Sequence, residues 1–136
     1  MFFGSKISIS SLNLTSGVLI SVKFPLPEIL TAKIADISTA SSTYVGIPDG
    51  GRVIKIITAL QGVIATANAA ITFEIGGTAM TDSAITVAYS GSAVGDVDTS
   101  EPTAANTVSE DGTIEIITDG ASTNANVLYV TFVIRR

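Results

Sequence analysis

Apolar and polar residues alternate with a period of two through much of this chain. Lys6-Ile7-Ser8-Ile9-Ser10 alternates cleanly, and Val18-Leu19-Ile20-Ser21-Val22-Lys23-Phe24 does so approximately. Ala70–Ile75 sets Ile71, Phe73 and Ile75 against Thr72 and Glu74, and Ser83–Tyr89 sets Ile85, Val87 and Tyr89 against Thr86 and Ala88. Successive strand side chains point to opposite faces, so this period predicts short, half-buried strands. Thr31–Ile37, with Ala32, Ile34 and Asp36 on one face, is predicted to be another. Thr43–Ile47, Arg52–Leu60, Thr113–Thr118 and Val127–Ile134 complete the set. Pro48-Asp49-Gly50-Gly51, Gly76-Gly77 (leading into a short run that ends near Met80) and Asp119-Gly120 punctuate these runs. Pro presets φ in such turns and Gly supplies positive φ. Short strands at this spacing predict an all-β fold, a jelly-roll-like β-sandwich.

Two segments depart from the pattern. Pro25-Leu26-Pro27 blocks both helix and central strand and reads as an extended connector. It divides an extended N-terminal arm, residues 1–30, from a sandwich domain, residues 31–136. The arm's apolar set includes Phe2, Phe3, Leu12, Leu19, Phe24 and Leu26. The arm is too short to bury these residues on itself. They either anchor it on a neighbouring subunit or form a strand pair of the same sandwich. Residues 90–112 are small-residued and acidic and read as one long loop, the kind that in compact domains carries function or moves.

Composition narrows the chemistry. At 136 residues the chain suits one domain with one core. Apolar residues make up 46% and charged residues 14%, with mean hydropathy +0.54, which is unlike a disordered chain. Ile, Val and Thr supply roughly a third of the positions, the β-branched excess that strands favour. The chain contains no Cys, His or Trp. Disulfides, Cys/His metal sites and His-dependent acid, base or triad catalysis are therefore excluded.

The net charge of −5 is unevenly spread. Lys6, Lys23, Lys33, Arg52 and Lys55 make the first 55 residues slightly basic. Residues 56–134 carry acids and no Lys or Arg, and Arg135-Arg136 follow. Nucleic-acid binding needs a cationic surface that releases counterions from phosphates, and the acidic balance argues against that partner. The start of the chain lacks the basic n-region of a signal peptide. The apolar-rich run Gly17–Leu30 is interrupted by Ser21, Lys23, Pro25, Pro27 and Glu28, so it does not read as a membrane-spanning helix.

Candidate sites are few. Asp96, Asp98 and Glu101 form D-x-D-x-x-E, whose carboxylates could join backbone carbonyls around Ca²⁺. The EF-hand spacing is absent, and a solvated loop is the simpler account. Glu110, Asp111 and Glu115 could supply a glycosidase-type pair, but that chemistry wants a cleft with aromatic platforms, and Tyr44, Tyr89 and Tyr129 are scattered. Gly50-Gly51-Arg52 and Gly76-Gly77-Thr78 are turns and not phosphate loops. No catalytic residue, metal site or cofactor is assigned, and the chain is not expected to be an enzyme.

Several segments carry a resemblance. Ala35-Asp36-Ile37-Ser38-Thr39-Ala40-Ser41-Ser42-Thr43-Tyr44-Val45-Gly46-Ile47-Pro48 followed by Gly51-Arg52-Val53-Ile54-Lys55 resembles small virion proteins of tailed bacteriophages. So do Ile71–Ala79, Ser90–Asp98 and Ile114–Ser122. The implied group is the capsid decoration, or cement, proteins. That resemblance implies a homotrimer on the outside of an assembled capsid, made in the host cytoplasm, with the major capsid protein as partner. It implies no shared site residues. The arm's role in docking, with Phe2, Phe3, Leu19, Phe24 and Leu26 as contact residues, is inferred from their apolar character. The alternative is a head-fibre or tail-fibre module that contacts host glycans. A generic bacterial surface or pilus-like β domain is a third reading, disfavoured by the absence of a recognisable signal peptide.

Overall fold

The computed structural model describes residues 26–136, which contain ten strands. They are β1 (Glu28–Ile34), β2 (Ser41–Ile47), β3 (Gly51–Leu60), β4 (Ala69–Ile75), β5 (Thr78–Ala79), β6 (Ile85–Val87), β7 (Val97–Ser100), β8 (Thr107–Val108), β9 (Gly112–Thr118) and β10 (Leu128–Arg135). Every strand pairing is antiparallel. One sheet, here sheet A, has the order β1-β10-β3-β7, with β8 also paired to β3. The other, sheet B, has the order β2-β9-β4-β5, with β6 also paired to β4.

The winding follows from nested pairings. β1 pairs with β10, β2 with β9, β3 with β7 and β4 with β6. The first half of the chain thus pairs with the second half in reverse order. Folding that long ribbon over on itself sends successive long strands to opposite sheets. The outcome is a jelly roll: the expected all-β sandwich, with two sheets facing across one core.

Strand periodicity decides what fills that core. β10 alternates buried Leu128, Val130, Phe132 and Ile134 with more exposed Tyr129, Thr131, Val133 and Arg135. β9 buries Ile114, Ile116 and Thr118 in the same way. The core is built almost wholly from Ile, Val, Leu and Phe on inward positions of both sheets. β3 is less regular, because the β10–β3 register shifts between Val133 and Ile134. That irregularity breaks strict alternation at Ile54 and Lys55.

Three expectations change. The first body strand starts at Glu28 and not at Thr31, so Glu28, Ile29 and Leu30 belong to the sheet. It ends at Ile34, and Asp36 sits in the turn that follows. There its carboxylate accepts hydrogen bonds from the Ser38 backbone N–H (2.8 Å) and the hydroxyls of Ser38 (2.6 Å) and Thr39 (3.1 Å). These bonds, led by the Ser38 hydroxyl, hold the Asp36 carboxyl below its usual range. Lastly, residues 90–112 are not one loop. Val97–Ser100 forms β7 against Ile56–Ala59, and Thr107–Val108 forms β8 against Gly51–Arg52. Val-Asp-Thr-Ser has no apolar periodicity of its own. It becomes a strand because the edge of the ten-residue β3 has backbone groups to satisfy.

Candidate functional site

The predicted site residues scatter. Phe2, Phe3, Leu19 and Phe24 lie outside the described residues, as do the two strands predicted within the arm. Leu26 is exposed just ahead of β1. Asp96, Asp98 and Glu101 do not converge. The Asp96 carboxylate accepts the Ala93 backbone N–H at 2.7 Å and closes its own turn. Asp98 is in register with the fully buried Thr58, at the margin of the core, while Glu101 is exposed beyond the end of β7. Burial, and then the charge of Asp96, push the Asp98 carboxyl upward. Among the described residues no three acidic side chains gather as a metal-binding group.

The tyrosines do not assemble into a platform either. Tyr44 is on the outer face of sheet B and Tyr129 on the outer face of sheet A, while Tyr89 follows β6. A depression of about 280 Å³ is lined by Gly46, Ile47, Pro48 and Asp111. Its one ionisable side chain gives it neither a nucleophile–base pair nor a charge cage. Small-molecule pockets are generally larger, ~300–1,000 Å³.

What the fold does build is a pair of unlike outer faces. Antiparallel register places side chains in rows across each sheet. On sheet A one row reads Ile29, Val133, Lys55, and the next Thr31, Thr131, Ile57, Thr99. A third reads Lys33, Tyr129, Ala59, Val97. Ile29 is 63% exposed and Val97 59%. At the end of the sheet Arg135 lies directly opposite Arg52, and both are exposed. The charges on these rows are all positive.

On sheet B the rows read Ser42, Ile117, Thr72 and Tyr44, Glu115, Glu74, Ala79. Here two carboxylates stand directly opposite each other, Glu115 on β9 and Glu74 on β4. The neighbouring Glu115 carboxylate, then burial and then the charge of Glu74 raise the Tyr44 phenol above its ordinary range. Like charges directly opposite across a ladder are destabilising. The described residues carry one such pair of each sign, on opposite faces. Among the described residues the ion pairs are those of Arg136 with Asp49 (2.8 Å) and Glu28 (3.7 Å), so neither like-charge pair is relieved by a salt bridge.

Sequence reasoning missed these faces. Lys33, Arg52, Lys55 and Arg135 are spread over a hundred residues, and only the adjacency of β1, β10 and β3 gathers them. The available signal was the absence of Lys and Arg between residues 56 and 134.

No protein-family model matches the chain, and no curated protein matches it. Among solved structures it is similar to one described as "Bacillus endospore appendages form a novel family of disulfide-linked pili". The identity is 18%, over 86% of this chain and 98% of that one. The TM-score of 0.31 is too low to bear on fold or function.

Proposed function

We propose that this chain is a structural virion protein that binds the outside of an assembled phage capsid and stabilises it, acting as a homotrimer with its N-terminal arm in the contact. The observation that carries this reading is where the arm joins the sandwich. β1 is the edge strand of sheet A, and Leu26 and Ile29 stand exposed at its start. The arm's apolar residues therefore continue into an apolar margin of the body. The resemblance of the body segments to decoration proteins supports the same setting.

The mechanism is linkage. A protein that binds the closed shell and not its separated subunits adds its binding free energy to the assembled state. Three linked copies convert weak single contacts into a durable one by raising the local concentration of the second and third. The partner is the major capsid protein and the location is the capsid surface.

Co-sedimentation with purified capsids, with capsid thermal stability as second readout, tests this. Full-length protein is expected to pellet with capsids and raise their disruption temperature. Protein lacking residues 2–27 is expected to keep a cooperative melt yet stay in the supernatant. Full binding by the truncated protein would remove the arm from the mechanism, and no binding by the full chain would remove the capsid.

A further inference from the structure

We infer that the outer face of sheet A is the docking surface for the outer face of sheet B on a second copy of this chain. The inference goes beyond the capsid reading and does not depend on it, because protein alone tests it.

Charge complementarity commits the face to this occupant. Sheet A presents the Arg52–Arg135 pair together with Lys55, and sheet B presents the Glu74–Glu115 pair beside Tyr44. Each pair is an unfavourable neighbour to itself and the counter-charge of the other. Their positions along the strands differ by a short slide. Arg52 follows directly on the turn between β2 and β3, whereas Tyr44 and Glu115 are the middle residues of β2 and β9. A slide of about 10 Å along the strands brings arginines over glutamates without turning either molecule end for end.

The surroundings suit close approach. Sheet A offers Ile29, Ile57 and Val133, and sheet B offers Ile117 among Ser and Thr. Such side chains make low faces that can pack as two sheets do inside a sandwich, about 10 Å apart. Four strands of this length cover about 400 Å² of sheet on each copy, below the range of stable interfaces. Each contact is therefore weak and depends on concentration. The contact is heterologous, with different surfaces on its two sides, so repetition closes a ring or grows a stack and does not stop at a twofold pair.

Charge reversal with recombination tests this, with mass read by sedimentation velocity over a range of protein concentrations. Wild type is expected to exceed two copies as concentration rises, and to lose that association in high salt, where charges are screened within about 3 Å. The variant R52E/R135E sets glutamates where sheet A would meet Glu74 and Glu115, and E74K/E115K makes both faces basic. Each alone is expected to associate at least about tenfold more weakly than wild type. Their equimolar mixture is expected to regain association, because the unchanged Glu74–Glu115 pair of one variant meets the unchanged Arg52–Arg135 pair of the other. Unchanged circular dichroism and melting of each variant separate loss of contact from loss of fold. Wild type that stays monomeric, or stops at two copies, overturns the inference. So do single variants that associate like wild type, or a mixture of folded variants that stays monomeric.

Discussion

The rings of Phe73 on β4 and Phe132 on β10 meet edge to face, with centroids 5.7 Å apart and planes at 90°. One ring comes from each sheet, and both are fully buried. This contact ties the two layers at the centre of the core. An edge-to-face pair contributes about 0.5–1.5 kcal/mol beyond the area it buries. Phe73→Ala and Phe132→Ala are each expected to cost about 3–5 kcal/mol in denaturant unfolding. In the double-mutant cycle, the two substitutions together should cost less than their sum, by about that coupling energy. Strict additivity would mean that the rings act only as separate fillers.

Asn106 pins the segment between β7 and β9 to β3. Its buried side-chain amide nitrogen donates to the Val53 carbonyl at 2.7 Å and to the Pro102 carbonyl at 3.1 Å, and its backbone carbonyl accepts the Val53 N–H at 2.8 Å. Asn106→Ala leaves two carbonyls without this donor, at a cost of about 1–3 kcal/mol. Hydrogen exchange at Val53 should accelerate more than exchange at Phe132, because the loss is local to the β8 side of β3.

Asp98 sets a pH dependence opposite to that of most carboxylates. Its folded pKa is raised, by burial first and by the charge of Asp96 second. The folded state therefore holds its proton more tightly than the unfolded state does. Folding is penalised at neutral pH, and the penalty fades as pH falls through the raised value towards the ordinary carboxylate range. Asp98→Asn should stabilise the fold at pH 7, by on the order of 0.5 kcal/mol after solvent screening, and so raise the melting temperature there. The gain should vanish in acid. An equal gain at both pH values would assign it to packing and not to charge. Asp36 behaves the other way. Its lowered pKa gives stability that is present at neutral pH and lost as pH falls through that lowered value.

Gly120 and Gly91 separate backbone strain from close approach. Both have positive φ, 67° and 78°. A Cβ on Gly91 would meet open space, whereas one on Gly120 would run into the backbone nitrogen of Ala40. Gly91→Ala should cost only the left-handed backbone penalty, about 1–2 kcal/mol. Gly120→Ala should cost clearly more, because the turns after β9 and before β2 must move apart. Thermal melts of the two variants give the comparison directly.

Most long strands were legible as alternation, because an inward Ile, Val or Phe on every second residue leaves a mark in the chain itself. β2, β3, β4, β9 and β10 start within two residues of their predicted positions. β7 and β8 were hidden, because Val-Asp-Thr-Ser and Thr-Val become strands only where β3 offers an open edge. The D-x-D-x-x-E motif has the residue types of a ligand set, although a solvated loop is its simpler reading. The strand that runs through it points Asp98 inward and leaves Glu101 beyond its end.

By itself, the sequence determined that the chain is built of strands, that their repeating apolar positions are mostly Ile and Val, and that Cys and His chemistry is closed to it. These follow from residue type and from a period of two, which are local properties. Only the tertiary structure decided that β1, β3 and β10 lie side by side, and β2, β9 and β4 likewise. Alternation states that a side chain points away from the core. It does not state which distant strand stands next to it. That choice is made by non-local pairing and by burial of a shared core, and it alone sets Arg52 opposite Arg135 and Glu74 opposite Glu115.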